Sequence, residues 1–452
     1  MTGLPLLLIG VAGVILLLLL VIYARMPAFI ALLVVSVVTG LGAGIPLSDL
    51  MEVITTGVGN TLSSVLLVVG LGAVLGRIIE LSGGADALAS YFTRLLGPTR
   101  VVAAVCAAGF ILGIPVFFDV GYIILAPIIF GFARTSKLTP VTLGIPLAGV
   151  LMVVHVIMPP HPGPVAVAGI LEVDAGVLSS FGLLISIVAA LVGFVITRRL
   201  PLDRVRTTAT GLAGDHADTL AQREEQQPAI SPWLVILLIV LPLVQIMVGT
   251  TGAMLAAEDS TLHAVVGFVG NPAIALLVAV LLAAFLVGRS QGWSWEKRAA
   301  IMDGALPLVA VIIFVTGAGG AFARVLVESG IGQVLSDQLV AWHLPLLMTA
   351  YLVALAIRVS QGSATVAMLT TAGIIADPVA AAGLDPLAAT VVVCAIGCGA
   401  LAASHINDSA FWIVTRYLGL EVKEGLATWT VVSTLFSLAG FAVCAALWPL
   451  VG

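Results

Sequence analysis

Long runs of hydrophobic residues alternate with short polar segments along the whole chain. Ten of these runs approach the roughly 20 apolar residues that an α-helix needs to cross a bilayer. They lie at about 3–22, 27–45, 62–81, 138–158, 178–197, 232–250, 271–288, 303–327, 386–403 and 428–449. The first run follows no basic segment and is too long for the core of a signal peptide. The pattern predicts an all-α polytopic membrane protein with a retained first span.

Two further apolar stretches, about 101–133 and 345–376, contain a polar tip and predict re-entrant hairpins that enter and leave on one face. The longest hydrophilic segment, 198–231, carries five arginines and is predicted to be cytoplasmic. Threading the chain outward from this loop places sixteen of the eighteen basic residues on the cytoplasmic side. Both termini then lie outside. This topology requires that both interrupted stretches are hairpins.

Composition excludes a soluble globular domain, because 61% of the residues are hydrophobic and only 9% are charged. The four cysteines lie in apolar segments. Cys394 and Cys398 could share a helix face, but no other ligand type lies near them. We predict packing roles for the thiols, no metal site, no cofactor and no nucleic-acid partner.

The two halves of the chain resemble one another at a fixed offset. The segment 77–83, Arg-Ile-Ile-Glu-Leu-Ser-Gly, aligns with 324–330, Arg-Val-Leu-Val-Glu-Ser-Gly, at a shift of 247 residues. The same shift superimposes Pro98 on Pro345 and the two hairpin tips on one another. Five spans and one hairpin per half are an odd number of crossings, so the second copy is predicted to be inverted. The halves are 1–200 and 232–452, joined by a connector at 201–231.

A proline-rich break interrupts the helix predicted at about 138–172, where residues 158–164 read Met-Pro-Pro-His-Pro-Gly-Pro. Proline removes a backbone donor and clashes with the preceding turn, and a broken helix is tolerated at membrane depth only where it lines a cavity. A half-helix from about Val165 would begin with free N–H groups that suit a carboxylate, with Gly163 in the unwound turn. His155 and His161 could titrate near physiological pH or simply pack.

One acidic residue, Asp119, lies in the first hairpin beside Gly113, Pro115 and Gly121. A carboxylate at membrane depth costs several kcal/mol unless it is paired, protonated or hydrated. Asp119 is therefore a candidate proton carrier. It could also cap the second arm of the hairpin by accepting backbone N–H bonds, and the two roles can coexist.

The second half concentrates polar side chains at its own hairpin tip and in the break of the helix at about 386–418. The tip offers four candidate substrate contacts, which are Gln361, Gly362, Ser363 and Thr365. The break adds the candidate substrate contacts Ser404, Asn407 and Ser409 and the candidate proton carriers His405 and Asp408. Arg358 is expected to contact an anionic substrate, or to form an ion pair with Asp408 or Asp119 that is purely structural.

Three motifs resemble the gluconate permease family. They are Pro-Pro-His-Pro-Gly-Pro at 159–164, Arg-Val-Ser-Gln-Gly-Ser-Ala-Thr-Val at 358–366, and Ser-His-Ile-Asn-Asp-Ser-Ala-Phe-Trp at 404–412 followed by Arg-Tyr-Leu-Gly at 416–419. The resemblance covers essentially the whole chain and is weakest in the loop at 198–231. It implies the ion transporter superfamily, with inverted repeats, paired re-entrant hairpins, a scaffold that can form a homodimer, and a moving transport unit. Members of this family carry gluconate, related sugar acids or other small hydroxy or amino acids.

We therefore expect a plasma-membrane secondary transporter that imports gluconate or a related sugar acid by proton symport and alternating access. The carboxylate would meet 363–365 and the turn at Gly163, while Gln361 and Asn407 contact hydroxyls. The proton carrier stays open among Asp119, His155, His161, His405 and Asp408. The nearest alternative is a sodium-coupled carboxylate transporter of the same architecture, and a remote one is an intramembrane enzyme. The glycines at 317, 319 and 320 lack a P-loop lysine, so the chain itself is not expected to use ATP.

Overall fold

The computed structural model describes residues 3–84, 87, 91, 100–114, 116–136, 138–159, 161–207, 230–257, 259–334 and 344–451. The first half contains α1 Leu4–Leu18, α2 Ala28–Ala43, α3 Leu47–Leu81, α4 Val101–Gly113, α5 Phe118–Ser136, α6 Pro140–Ile157, α7 Pro162–Ile170 and α8 Ala175–Thr197. The second half contains α9 Pro232–Leu255, α10 Thr261–Val269, α11 Pro272–Ser290, α12 Trp295–Asp303, α13 Leu306–Glu328, α14 Leu346–Gln361, α15 Ala364–Ala382, α16 Pro386–Leu401, α17 Ser409–Tyr417, α18 Val422–Gly425 and α19 Val431–Val451. A π-helical turn, Leu426–Thr430, joins α18 to α19.

Within the described residues, eight helices are long and apolar enough to cross a membrane, or nine if the bent helix α3 is one span. The spans expected at 27–45 and 386–403 are the shorter helices α2 and α16, of 16 residues each. The span expected at 62–81 is only the second part of α3, which begins at Leu47 and bends by 41° between Ser63 and Leu66. The polar segment before residue 62 is therefore helical. The second arm of the second hairpin, α15, is itself long enough to span.

Helices α3 and α13 pack closely along one another. Two glycines allow the approach, since a Cβ atom at Gly57 would lie 2.5 Å from the carbonyl oxygen of Gly320. Helix α2 packs on α13, and α11 packs on α3. A second group forms around α6 and α16, which are buried along almost their whole length and contact α4, α8, α14 and α19. Two hairpin arms contact both groups: α5 packs on α3 and α6, and α14 packs on α13 and α16.

Helix bounds recur between the halves. Helices α7 and α17 have nine residues each, and both ends are separated by 247 residues, the offset between Arg77 and Arg324. Helix α5 of the first hairpin packs on α17, and helix α15 of the second hairpin packs on α7. Each short helix after a break therefore contacts the hairpin of the other half. This exchange brings the breaks and the hairpin tips to the centre of the molecule.

Four expectations fall partly on residues outside the described ones. Pro98 of the repeat alignment, Pro115 in the first hairpin, Pro160 in the first break and most of the loop at 198–231 belong to this group. The residues around the first break are described: α6 ends at Ile157, the backbone at Met158 is extended, and α7 begins at Pro162 rather than near Val165.

Candidate functional site

A cavity of about 830 Å³ opens where α3, α5, α13, α14, α15 and α17 meet. Ten of the residues singled out from the sequence line it: Asp119, His155, Arg358, Gln361, Gly362, Ser363, Thr365, Asn407, Asp408 and Ser409. Four others, Gly163, His161, Ser404 and His405, are buried outside its lining. The cavity therefore gathers residues from both hairpins and from the break of the second half.

Three helices begin at the cavity wall. The first residues of α5, α15 and α17 contribute Asp119 and Val120, Ala364 and Thr365, and Ser409 and Ala410 to the lining. The Ser363 hydroxyl accepts a bond from the Val366 N–H at 3.4 Å, and an Asp408 oxygen accepts one from the Ala410 N–H at 3.1 Å. The remaining first-turn N–H groups have no partner within their own helices. Together with the positive ends of three helix dipoles, they make this wall suitable for an anion.

Arg358 and Asp408 form an ion pair inside the protein, with side chains that are 1% and 4% exposed. Arg358 also donates to the Gly362 carbonyl, across the turn at the hairpin tip. Asp408 accepts a further bond from the Ser404 hydroxyl, which accepts one from the Trp429 indole N–H at 2.7 Å. Ser404 thus lies behind Asp408 and holds it, which explains why Ser404 does not face the cavity.

The carboxylate of Asp119 differs from that of Asp408. Within the described residues, it has neither a hydrogen-bond partner nor an ion-pair partner, and the charges that act on it are those of Asp408 and Arg358. Asp119 lies in the first turn of α5, one residue after the helix begins. It is partly exposed to the cavity. Since Arg358 and Asp408 neutralise one another, Asp119 leaves this end of the cavity with an excess negative charge when it is ionised.

The histidines have separate environments. His155 lines the cavity, and its Nδ1 atom has no hydrogen-bond partner. The His161 ring lies 4.7 Å from the His155 ring, and its Nε2 atom is 2.8 Å from the Gly113 carbonyl oxygen at the end of α4. In the second half, His405 Nε2 lies 2.9 Å from the Val359 carbonyl oxygen. His161 and His405 therefore hold the carbonyl ends of hairpin arms.

Asn407 performs the equivalent task at the second hairpin. Its amide donates to the carbonyl oxygens of Val359 at 2.8 Å and Ser360 at 3.1 Å. Ser360 and Gly113 are related by the 247-residue shift, so both breaks provide a side chain for the same carbonyl position. The Asn407 oxygen Oδ1 and the Gln361 oxygen Oε1 are buried without a hydrogen-bond partner. Both residues line the cavity, but these two oxygens are shielded from it by neighbouring atoms.

Gly163 lies against α15 instead of the cavity. A Cβ atom at this position would lie 2.9 Å from the Met368 sulfur. The expected row of free N–H groups is also reduced, because Pro162 and Pro164 have none and the Val165 N–H bonds to the His161 carbonyl at 3.1 Å. Gly163 keeps the only unbonded amide of the α7 first turn among the described residues.

Sequence reasoning missed one wall of the cavity. Helices α3 and α13 contribute five polar residues to the lining, which are Asn60, Thr61, Ser63, Thr316 and Arg324. Arg324 forms an ion pair with Glu328 one turn later. The signal was present in the polar stretch before residue 62, which the hydrophobic pattern left outside the predicted span.

Comparisons with known proteins identify the family of this chain. A family model described as GntP family permease matches residues 4–451. The inner membrane permease YgbN of Escherichia coli K12 is 47% identical over the full length of both chains. Two other proteins of that strain are the Gnt-II system L-idonate transporter, 35% identical over 96% of this chain and 97% of its own, and the high-affinity gluconate transporter, 32% identical over 97% and 98%.

These matches cover essentially the whole chain on both sides and exclude the remote alternative of an intramembrane enzyme. They also agree with the many apolar helices of the fold. The chain therefore belongs to the GntP family of permeases and is a multi-span transporter of the inner membrane.

Proposed function

We propose that this permease imports gluconate or a related sugar acid together with protons, by alternating access. The names of two relatives, an L-idonate transporter and a gluconate transporter, support the substrate class. The relative at 47% identity is named only as a permease, so the substrate has to be argued from the cavity.

The observation that carries the proposal is an unpaired carboxylate beside a wall built for an anion. Helices α15 and α17 direct first-turn N–H groups at the cavity. Of the two arginines in its lining, Arg358 is already neutralised by Asp408 and Arg324 is paired with Glu328. A substrate carboxylate at this wall would lie in the same cavity as Asp119. Two ionised carboxylates in a low-dielectric site repel one another, so protonation of Asp119 favours substrate binding. Binding of the anion and of the proton are thereby coupled.

The rest of a sugar acid is a chain of hydroxyl groups. The cavity wall offers amide and hydroxyl side chains that can both donate and accept, namely those of Asn60, Ser63, Gln361, Asn407 and Ser409. The unpaired oxygens of Gln361 and Asn407 would accept bonds from substrate hydroxyls once a small side-chain movement exposes them to the cavity. The volume of about 830 Å³ lies within the range of pockets that hold small molecules.

Among the five candidate proton carriers, we propose Asp119. Asp408 is ion-paired, while His161 and His405 are engaged with backbone carbonyls. His155 lines the cavity and is the second choice. It would act as a polar neighbour that relays the proton. With one proton per monovalent anion, no net charge moves. The membrane potential, worth about 2.3 kcal/mol per charge per 100 mV, would then not contribute.

We further propose that the fold consists of two inverted repeats, 1–200 and 232–452, with α4–α5 and α14–α15 as re-entrant hairpins. The matching bounds of α7 and α17 and the exchanged packing of α5 on α17 and α15 on α7 support this division. The connector at 201–231 would be cytoplasmic. A homodimer is proposed on family resemblance alone.

The test is uptake of labelled gluconate into proteoliposomes with an imposed pH gradient, in competition with a panel of aldonates and other hydroxy acids. We expect accumulation that follows the gradient and competition by aldonates. Failure of every aldonate to compete would contradict the proposed substrate.

A sodium-coupled carboxylate transporter is the second candidate, and the two buried amide oxygens without partners favour it, since sodium binds such ligands. Uptake that requires sodium and proceeds without a pH gradient would replace proton symport with this alternative.

A further inference from the structure

A second, much smaller cavity of about 30 Å³ lies between α3 and α5. On α3 it is lined by Gly72, Ala73, Gly76, Arg77 and Glu80. It lies beyond Asp119 along α5, where Ile123 and Pro127 form the opposite wall. Nothing in the proposed binding site uses these residues.

The 247-residue shift relates this small cavity to the large one. It carries Ala73, Gly76, Arg77 and Glu80 onto Gly320, Ala323, Arg324 and Val327. All four of these positions on α13 line the large cavity, whereas Gly319, the counterpart of Gly72, lies against the Asn407 carbonyl. The same face of two equivalent helices therefore borders a wide cavity in one half and a nearly closed one in the other.

The difference between the two cavities is the distance between helices. Helix α3 packs closely along α5. A Cβ atom at Gly76 would lie 3.2 Å from Pro127 Cγ, and one at Gly72 would overlap the Ile123 side chain. The equivalent helices α13 and α15 have the large cavity between them, lined by Ala323 on one side and Thr365 on the other. One helix pair is closed and its counterpart is open.

Each of these two cavities contains an arginine with an acidic partner on the same helix. Arg77 lies 3.5 Å from Glu80, and Arg324 is paired with Glu328. A cation at the mouth of a path attracts an anionic solute, and its carboxylate partner limits how tightly that solute is held. This shared arrangement favours the interpretation that the two cavities are the two ends of one transport path rather than unrelated cavities.

We propose that the small cavity at Arg77 is the closed exit of the transport path on the membrane face opposite to the large cavity. The contact of Gly72 and Gly76 with α5 is the gate, and it opens when α13 and α15 close together. This inference rests on the proposed alternating access, and it adds the location of the second exit and the residues that seal it.

A disulfide across the gate tests the proposal. A Cβ atom at Gly72 would lie 3.6 Å from the Ile123 Cβ atom, which falls within the Cβ separation of natural disulfides. In the double variant Gly72→Cys and Ile123→Cys, we expect oxidation to reduce substrate exchange to the level of empty liposomes. A reductant should restore it. The reduced double variant serves as its own control, and the unmodified protein controls for the four native cysteines, which are buried.

Labelling with a membrane-impermeant maleimide provides a measurement that needs no known substrate. Ala323→Cys in the large cavity should react from one face, while Ala73→Cys in the small cavity should be protected. The equivalent pair, Gly319→Cys and Thr370→Cys, should cross-link only when α13 and α15 approach. Once it is cross-linked, Ala73→Cys should react from the opposite face and Ala323→Cys should become protected.

The outcomes separate the gate from the proposed substrate. Absence of gluconate uptake by the unmodified protein, together with labelling that reverses on cross-linking, would retain the gate and reject the substrate. Unchanged exchange after formation of the Gly72–Ile123 disulfide would overturn the gate. Labelling of Ala73→Cys that is the same with and without the Gly319–Thr370 cross-link would also overturn it.

Discussion

Arg358 and Asp408 are 50 positions apart in the chain and form an ion pair that is almost inaccessible to solvent. The pair joins the tip of the second hairpin to the first residue before α17. Asp408 is held in turn by Ser404, and Ser404 by Trp429 in the π-helical turn. The polar tip therefore has a fixed position relative to the break, although the two belong to different helices.

Removal of one member of this pair should leave a buried, uncompensated charge. We expect Arg358→Gln or Asp408→Asn alone to lower the free energy of unfolding by about 3–5 kcal/mol, and the double variant to lose less than the sum. Thermal unfolding in detergent would measure this. The control is Arg324→Gln, whose ion pair with Glu328 is 39% and 40% exposed and should contribute less than about 1 kcal/mol. Equal losses for Arg358→Gln and Arg324→Gln would contradict a structural role for the buried pair.

Asp119→Asn should separate substrate exchange from proton-driven accumulation. The amide has the shape and charge of the protonated acid, so the variant should bind the anion without taking up a proton. Exchange of labelled for unlabelled substrate should persist, while uptake against a gradient driven by pH should be lost. Asp385→Asn is the matched control, because Asp385 caps α16 by accepting from the Leu387 N–H at 2.9 Å and Asn caps equally well. pH-driven uptake that is unchanged in Asp119→Asn would exclude Asp119 as the carrier.

Gly362→Ala should damage the hairpin tip more than its backbone angle alone predicts. Gly362 ends α14 with a φ of +72°, and a Cβ atom there would overlap the Asn407 carbonyl. Gly383 ends α15 with a φ of +58° and has open space around it, so Gly383→Ala reports the strain of the backbone alone. We expect Gly383→Ala to lower the free energy of unfolding by about 1 kcal/mol and Gly362→Ala to lower it by clearly more. Gly362→Ala should also bind the substrate with lower affinity. Equal effects on stability and binding would mean that the contact with Asn407 is unimportant.

His161 offers a choice between positioning the hairpin and carrying the proton. Its Nε2 atom contacts the Gly113 carbonyl, and a glutamine amide could donate to the same oxygen. We expect His161→Gln to keep pH-driven accumulation, whereas His161→Phe leaves that buried carbonyl without a donor and costs about 1–3 kcal/mol. Accumulation and its pH profile, measured for both variants, decide the question. Loss of coupling in His161→Gln with intact exchange would assign the proton to His161.

The interrupted helices were predictable because their cause is local. Clustered prolines and glycines break a helix, so the break at 158–164 and the tip near Gly362 could be located from the chain alone, whereas the single prolines Pro127 and Pro146 remain inside α5 and α6. The partner of Arg358 could not, because Asp119 and Asp408 are equally plausible until the hairpins are packed. The choice of Asp408 depends on the packing of the hairpin tip against the second break.

The wall formed by α3 could not be predicted from the hydrophobic pattern, because its cause is not local. Hydrophobic runs indicate which residues face lipid, and Asn60, Thr61 and Ser63 interrupt such a run. The helix nevertheless continues through them from Leu47, since its polar side faces the cavity. A hydrophobicity pattern that is averaged around a helix cannot show that only one face of the helix is polar.

The two prolines at the start of α7 give the cavity a direction. Because Pro162 and Pro164 carry no N–H, the first break offers almost no counterpart to the donors at Ser363 and Ser409. A monocarboxylate would therefore bind with its carboxylate at the second hairpin and its hydroxylated carbon chain along α3. Stereocentres next to the carboxylate would be read by the hairpin tip, and those at the far end by Asn60 and Ser63. Epimers of one sugar acid should then differ in affinity according to which carbon is inverted.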